Sequence, residues 1–95
     1  MRKQIVAGNW KMNTLPAEGV ELAKGVAAGA AVEGVTFIVC PPFTHLQSVV
    51  DTLKGSGVAV GAQDCATEAK GAYTGEVAAS MIAALGCEYV ILGHS

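Results

Sequence analysis

His94 and Ser95 close the chain directly after the apolar run Tyr89-Val90-Ile91-Leu92-Gly93. An ionisable ring and a hydroxyl beyond a β-branched stretch stand where α/β folds keep their chemistry, at the carboxyl end of a buried parallel strand. Asn9 and Lys11 hold the same position after a first short strand, Lys3 to Gly8. Gln63 and Asp64 follow a third strand, Val58 to Ala62, and Pro41-Pro42 close a second, Val35 to Cys40. A lysine point charge suits an anionic ligand, and an ionisable ring can exchange a proton. The turn after the first strand, Gly8-Asn9-Trp10-Lys11, has no G-x-G-x-x-G and no Walker pattern, so it is not built for a cofactor phosphate. Two histidines without a nearby cysteine or paired carboxylate argue against zinc.

The elements that must position these residues follow one pattern. Thr14-Leu15-Pro16 opens the first helical segment, with proline suited to a first turn. From Ala17 to Ala31, Val20, Ala23, Val26, Ala27 and Ala30 share one face, opposite Glu18, Glu21 and Lys24. Gly19, Gly25 and Gly29 each cost about 1 kcal/mol relative to alanine, so this helix needs tertiary packing. Thr44 and Gln47 have capping-box spacing, and Leu46, Val49, Val50 and Leu53 then follow the helical period up to Lys54-Gly55. Gln63 to Glu76 has no periodicity and reads as a long functional loop. Ala78, Met81, Ile82 and Leu85 mark a third helix stopped by Gly86, and a fourth strand runs from Glu88 to Leu92. Trp10 reads as core packing, and His45 as structural or solvated.

The order β-α-β-α-β-α-β, with strands expected to be buried on both faces, calls for a parallel sheet with right-handed crossovers. Two architectures fit: a small doubly wound sheet, or the first part of a (β/α)8 barrel. Polar residues at every strand end favour the barrel, of which 95 residues would be well under half, a whole one running to about 250. Charged residues are only 15% of the chain against roughly 25% in an average soluble domain, so much of this surface is expected to be covered. A net charge of −2 with scattered lysines and arginines carries no nucleic-acid or membrane footprint. No apolar run reaches the ~18 residues of a membrane span, and no signal-peptide pattern opens the chain. Cys40, Cys65 and Cys87 read as buried free thiols in a reducing cytoplasm.

Five motifs in register resemble the triosephosphate isomerase family. They are Ala7-Gly8-Asn9-Trp10-Lys11-Met12-Asn13, Pro41-Pro42, Gly61-Ala62-Gln63, Gly71-Ala72-Tyr73-Thr74-Gly75-Glu76 and Leu92-Gly93-His94-Ser95. The resemblance covers the whole chain and implies that residues 1–95 are the N-terminal part of a single TIM-barrel domain. It implies a cytoplasmic enzyme of glycolysis and gluconeogenesis that interconverts dihydroxyacetone phosphate and glyceraldehyde 3-phosphate through an enediol, without metal or cofactor. By the same resemblance His94 is the neutral electrophile that polarises the substrate carbonyl and shuttles protons. Lys11 is the cation holding the dianionic substrate, and Asn9 fixes Lys11 and donates a hydrogen bond to substrate. The loop with Tyr73, Thr74 and Gly75 resembles the one that enters a neighbouring subunit of a homodimer, beside Asn9, Lys11 and Met12. Ser95 is placed to cap a following helix.

The family's general-base glutamate, its lid and its late phosphate-gripping loops lie beyond Ser95. Glu76 belongs to the interface loop and Glu88 opens a strand at the wrong rim, so neither replaces the base. Residues 1–95 alone are therefore expected to be catalytically dead and to form oligomers or a loosely packed state, with strands one and four as unpaired edges. Two readings stay open: an isomerase seen in part, and a non-catalytic half-barrel module that self-assembles or complements a separate piece.

Overall fold

The structure, a computed structural model, describes residues 4–30 and 32–92. Its elements are β1 (Gln4–Asn9), α1 (Pro16–Gly29), β2 (Val35–Cys40), a 3-10 turn (Phe43–His45) running into α2 (Leu46–Leu53), β3 (Ala59–Ala62), α3 (Ala79–Leu85) and β4 (Tyr89–Val90). All strand pairs are parallel, and the strand order is β1-β2-β3-β4. A doubly wound sheet reverses its order at a switch point, whereas a barrel adds strands in sequence. The sequential order decides for the barrel, of which this is a β-α-β-α-β-α-β segment.

Right-handed crossovers in a sequential sheet place every helix on one face. The core lies between them: Ala23 of α1, Leu46, Val49 and Leu53 of α2, and Ile82 of α3 close over Val39, Val60 and Ala62. By strand alternation Ile38 and Cys40 point to the other face, yet both are buried. Register ties Asn9 to Cys40 and Val39 to Val60, so the carboxyl ends of β1, β2 and β3 are level.

Four expectations need correction. β1 and β4 are exposed along their lengths, with Ile5 and Val6 about half exposed (54% and 53%), because each is an edge strand with one neighbour only. The capping box at Thr44 and Gln47 does not form. The 3-10 turn shifts the helix start past Thr44, whose hydroxyl donates to His45 Nδ1 (2.7 Å), while Gln47 Nε2 donates to Asp51 Oδ1 (3.1 Å). Half of a box forms instead on α1, where Glu18 Oε1 accepts the Leu15 N–H at 2.9 Å. Met81 and Cys65 are less buried than expected, Met81 exposed and Cys65 half-buried. The α3 stop holds: Gly86 takes φ +104, and its N–H closes on Ala83 and Ile82 carbonyls. No helix of the described residues is long and apolar enough to cross a membrane.

Candidate functional site at the carboxyl rim

At the end of β1 the chain turns sharply. Lys11 has φ +55 and Thr14 φ +73, left-handed conformations that cost an L-residue roughly 1–2 kcal/mol each. Such strain persists only where surrounding bonds hold it. Asn9 Oδ1 accepts the Lys11 N–H at 2.9 Å, an Asx-type closure over two residues. The Lys11 carbonyl accepts from Gln63 Nε2 at 2.8 Å. The second hydrogen of that same amide goes to the Cys40 carbonyl (2.9 Å), which also accepts the Trp10 N–H (3.1 Å). One glutamine thus stitches the ends of β1, β2 and β3 and fixes both sides of the Lys11 peptide together with Asn9.

The far end of the segment is tied by His45. Its Nε2 reaches the Thr14 carbonyl (3.1 Å) and Thr14 Oγ1 (2.9 Å). A carbonyl only accepts, so Nε2 carries a hydrogen and Nδ1 is left to accept from Thr44. The Thr14 hydroxyl donates in turn to the Asn13 carbonyl, and Asn13 Nδ2 to the Trp10 carbonyl at 2.8 Å. His45 is buried (2% exposed) and structural. It fits only because Gly19 has no side chain: a Cβ there would lie 2.8 Å from His45 Cδ2 and 3.4 Å from Trp10 Cζ3.

The structure therefore brings Asn9 and Lys11 side by side on the rim, both exposed. Among the described residues the only ion pair is Lys24–Glu21 (3.7 Å), which leaves the Lys11 ammonium unpaired there, and Asn9 Nδ2 has no partner there either. A free cation and a free amide donor on one turn can hold an anion and stabilise charge that develops on a neighbouring oxygen. His94 and Ser95 lie outside the described residues. Met12 is 95% exposed beside Lys11. Tyr73 is half exposed in the loop, where Glu76 N–H closes on the Tyr73 carbonyl (2.9 Å); Gly75 has φ +89. Thr74 and Gly75 are exposed with it, and no hydrogen bond joins this loop to residues 9–14 among the described residues.

Neither Glu76 nor Glu88 stands in for a base beside Lys11. Glu76 is in the exposed loop, and the Glu88 N–H bonds the Val60 carbonyl, three residues and about 10 Å below Gln63 along β3. Burial pushes the Cys40 thiol up from its ordinary pKa, partly offset by the Gly61 backbone, and pushes Cys87 up with a smaller contribution from Cys40. Both stay protonated thiols, unsuited to nucleophilic work. No cluster of metal-ligating side chains occurs among the described residues. A hollow of about 750 Å³ lies at the opposite rim between α2 and α3, away from Asn9 and Lys11. Sequence reasoning gave Gln63 no role beyond a polar strand end; its position among such ends was the available signal. It read Thr14 only as part of the opening of the first helical segment, and no local pattern points to its bond with His45.

A sequence model described as triosephosphate isomerase matches residues 4–95. Similar proteins include the triosephosphate isomerase of Cupriavidus taiwanensis, 52% identical over 95 residues, covering 100% of this chain and 38% of that protein. That of Bacteroides fragilis is 52% identical over 97 residues (100% and 39%), and that of Gluconacetobacter diazotrophicus 50% identical over 95 residues (98% and 38%). The chain spans under two fifths of the length of these curated relatives.

Proposed function

Because the chain belongs to the triosephosphate isomerase family, we propose that its residues supply one side of the active site of a triose-phosphate isomerase. In this reading residues 1–95 are the N-terminal part of one barrel domain. The reaction interconverts dihydroxyacetone phosphate and glyceraldehyde 3-phosphate through an enediol, with no cofactor. Lys11 holds the dianionic substrate and balances the enediolate charge, and Asn9 Nδ2 donates to a substrate oxygen. His94 polarises the carbonyl and moves protons between the two oxygens. A homodimer completes the site, with Tyr73, Thr74 and Gly75 reaching the partner beside Met12.

One observation carries the reading. Asn9 and Lys11 are locked together on the carboxyl rim of a sequential parallel sheet, the lysine in a strained conformation held at its N–H by Asn9 and at its carbonyl by Gln63. Strain held in this way marks functional turns. Met12 and Tyr73 are both exposed, so both side chains are open to a partner subunit in that dimer.

Residues 1–95 alone should give no turnover, because proton abstraction from substrate carbon needs a carboxylate in reach. The test is a fusion of residues 1–95 to the part of the Cupriavidus taiwanensis relative that follows the matched segment. The fusion should isomerise dihydroxyacetone phosphate and lose that activity in a His94→Ala version. A folded, dimeric fusion without turnover would refute the proposal.

A further inference from the structure

We infer that Gln63 is a positioning residue for Lys11, setting the place of the ammonium group without touching substrate; this rests on the functional reading given above. The Gln63 amide has two hydrogens and both are used, one on the Lys11 carbonyl (2.8 Å) and one on the Cys40 carbonyl (2.9 Å). Nothing on that nitrogen remains to donate to a ligand. The side chain is half-buried behind the turn rather than exposed with Asn9 and Lys11.

Its influence on Lys11 follows from backbone geometry. The Lys11 residue is left-handed (φ +55), so its side chain points where the turn sends it only while that conformation lasts. Asn9 fixes the amide side of the residue through a contact two positions away, which can form in many arrangements of the rim. The Gln63 bond, across 52 residues, is what refers the carbonyl side to the rest of the sheet. Because the same amide grips Cys40, whose carbonyl also receives Trp10, the Lys11 turn is located against β2 and β3 together. Without the glutamine, the Lys11 carbonyl and one acceptor site of Cys40 lose their partner. The turn is then free to relax toward ordinary φ values and carry the ammonium away. Misplacement of a binding group by about 1 Å can cost 100-fold in rate.

The test uses the fusion and three variants. Gln63→Leu should lower kcat/KM by about 10- to 100-fold, with the Lys11 amide exchanging its hydrogen at least ~10-fold faster as the turn loosens. Gln63→Glu has no donor while ionised and one O–H when protonated, so its kcat/KM relative to the parent should rise as pH falls toward 5, while that of Gln63→Leu stays flat. This arm stands even where Gln63→Leu fails to fold. A kcat/KM within about threefold of the parent for Gln63→Leu, or unchanged Lys11 exchange, or a flat Gln63→Glu ratio, overturns the inference. Lys11→Ala separates the two levels. Full turnover from Lys11→Ala sinks the functional reading itself, whereas lost turnover there with normal Gln63→Leu kinetics sinks only the role of Gln63.

Discussion

Gly19 and Gly25 sit six residues apart on α1, and the same change to alanine should move stability in opposite directions at the two positions. Alanine gains about 1 kcal/mol over glycine inside a helix. At Gly25 nothing lies within 4 Å of the added Cβ, so Gly25→Ala should realise most of that gain. At Gly19 the Cβ meets His45 Cδ2 at 2.8 Å and Trp10 Cζ3 at 3.4 Å. Carbon atoms prefer about 3.5–4.0 Å, so the imidazole must retreat by roughly 1 Å. It is not free to do so, because Thr44 Oγ1, the Thr14 carbonyl and Thr14 Oγ1 hold it from both ring nitrogens. Overpacking costs about 1–3 kcal/mol, and loosening a buried hydrogen-bonded group about 1–3 kcal/mol more. Set against the helix gain, the net loss at Gly19 is about 3 kcal/mol. In the fusion, a protein of about 250 residues, this corresponds to a Tm lower by roughly 6–12 °C, and Gly25→Ala to a rise of about 2–3 °C. Thermal unfolding at one fixed protomer concentration reads both. Equal or higher stability for Gly19→Ala than for Gly25→Ala would show that His45 does not occupy this position.

Other substitutions probe the rim and the thiols. Lys11→Gly removes left-handed strain, so it should stabilise the fusion by about 1 kcal/mol while lowering turnover at least ~100-fold; unfolding and steady-state kinetics on one sample check both signs. Loss of stability in that variant would contradict the strain. Half-buried Cys65 should react with a thiol reagent before buried Cys40 and Cys87, which should be modified only at the rate of unfolding. Those two thiols are held above their ordinary pKa by burial, so the stability they contribute is complete below the unfolded value of about 8.5 and falls as pH rises through the folded values. The urea midpoint should therefore decline on the alkaline side, and less so in a Cys40→Ala, Cys87→Ala double variant. Met12→Glu and Tyr73→Glu, each adding charge to an exposed apolar position, should shift the fusion from dimer to monomer in sedimentation; an undisturbed dimer in both would place the interface elsewhere.

What the sequence disclosed and what it concealed divide by the separation of the interacting residues. β2 and the end of α3 were legible because apolar runs and glycine stops are local signals, and the Asn9–Lys11 pair because polar residues follow an apolar strand directly. Thr44 shows the limit of local rules: its spacing to Gln47 suits a cap, yet a neighbouring imidazole takes the hydroxyl and the helix starts later. The left-handed backbone at Lys11 and Thr14 was not legible, since neither residue type favours it. Both are imposed from a distance, by Gln63 across 52 residues and by His45 across 31. These ties grip opposite ends of residues 11–14, and their anchors lie at the end of β3 and just before α2. The contacts that hold Lys11 and Thr14 thus exist only where the strand ends are assembled and α1 packs on His45 at Gly19. Residue types at the rim are a property of short stretches; the geometry that makes them a site is a property of the assembled sheet.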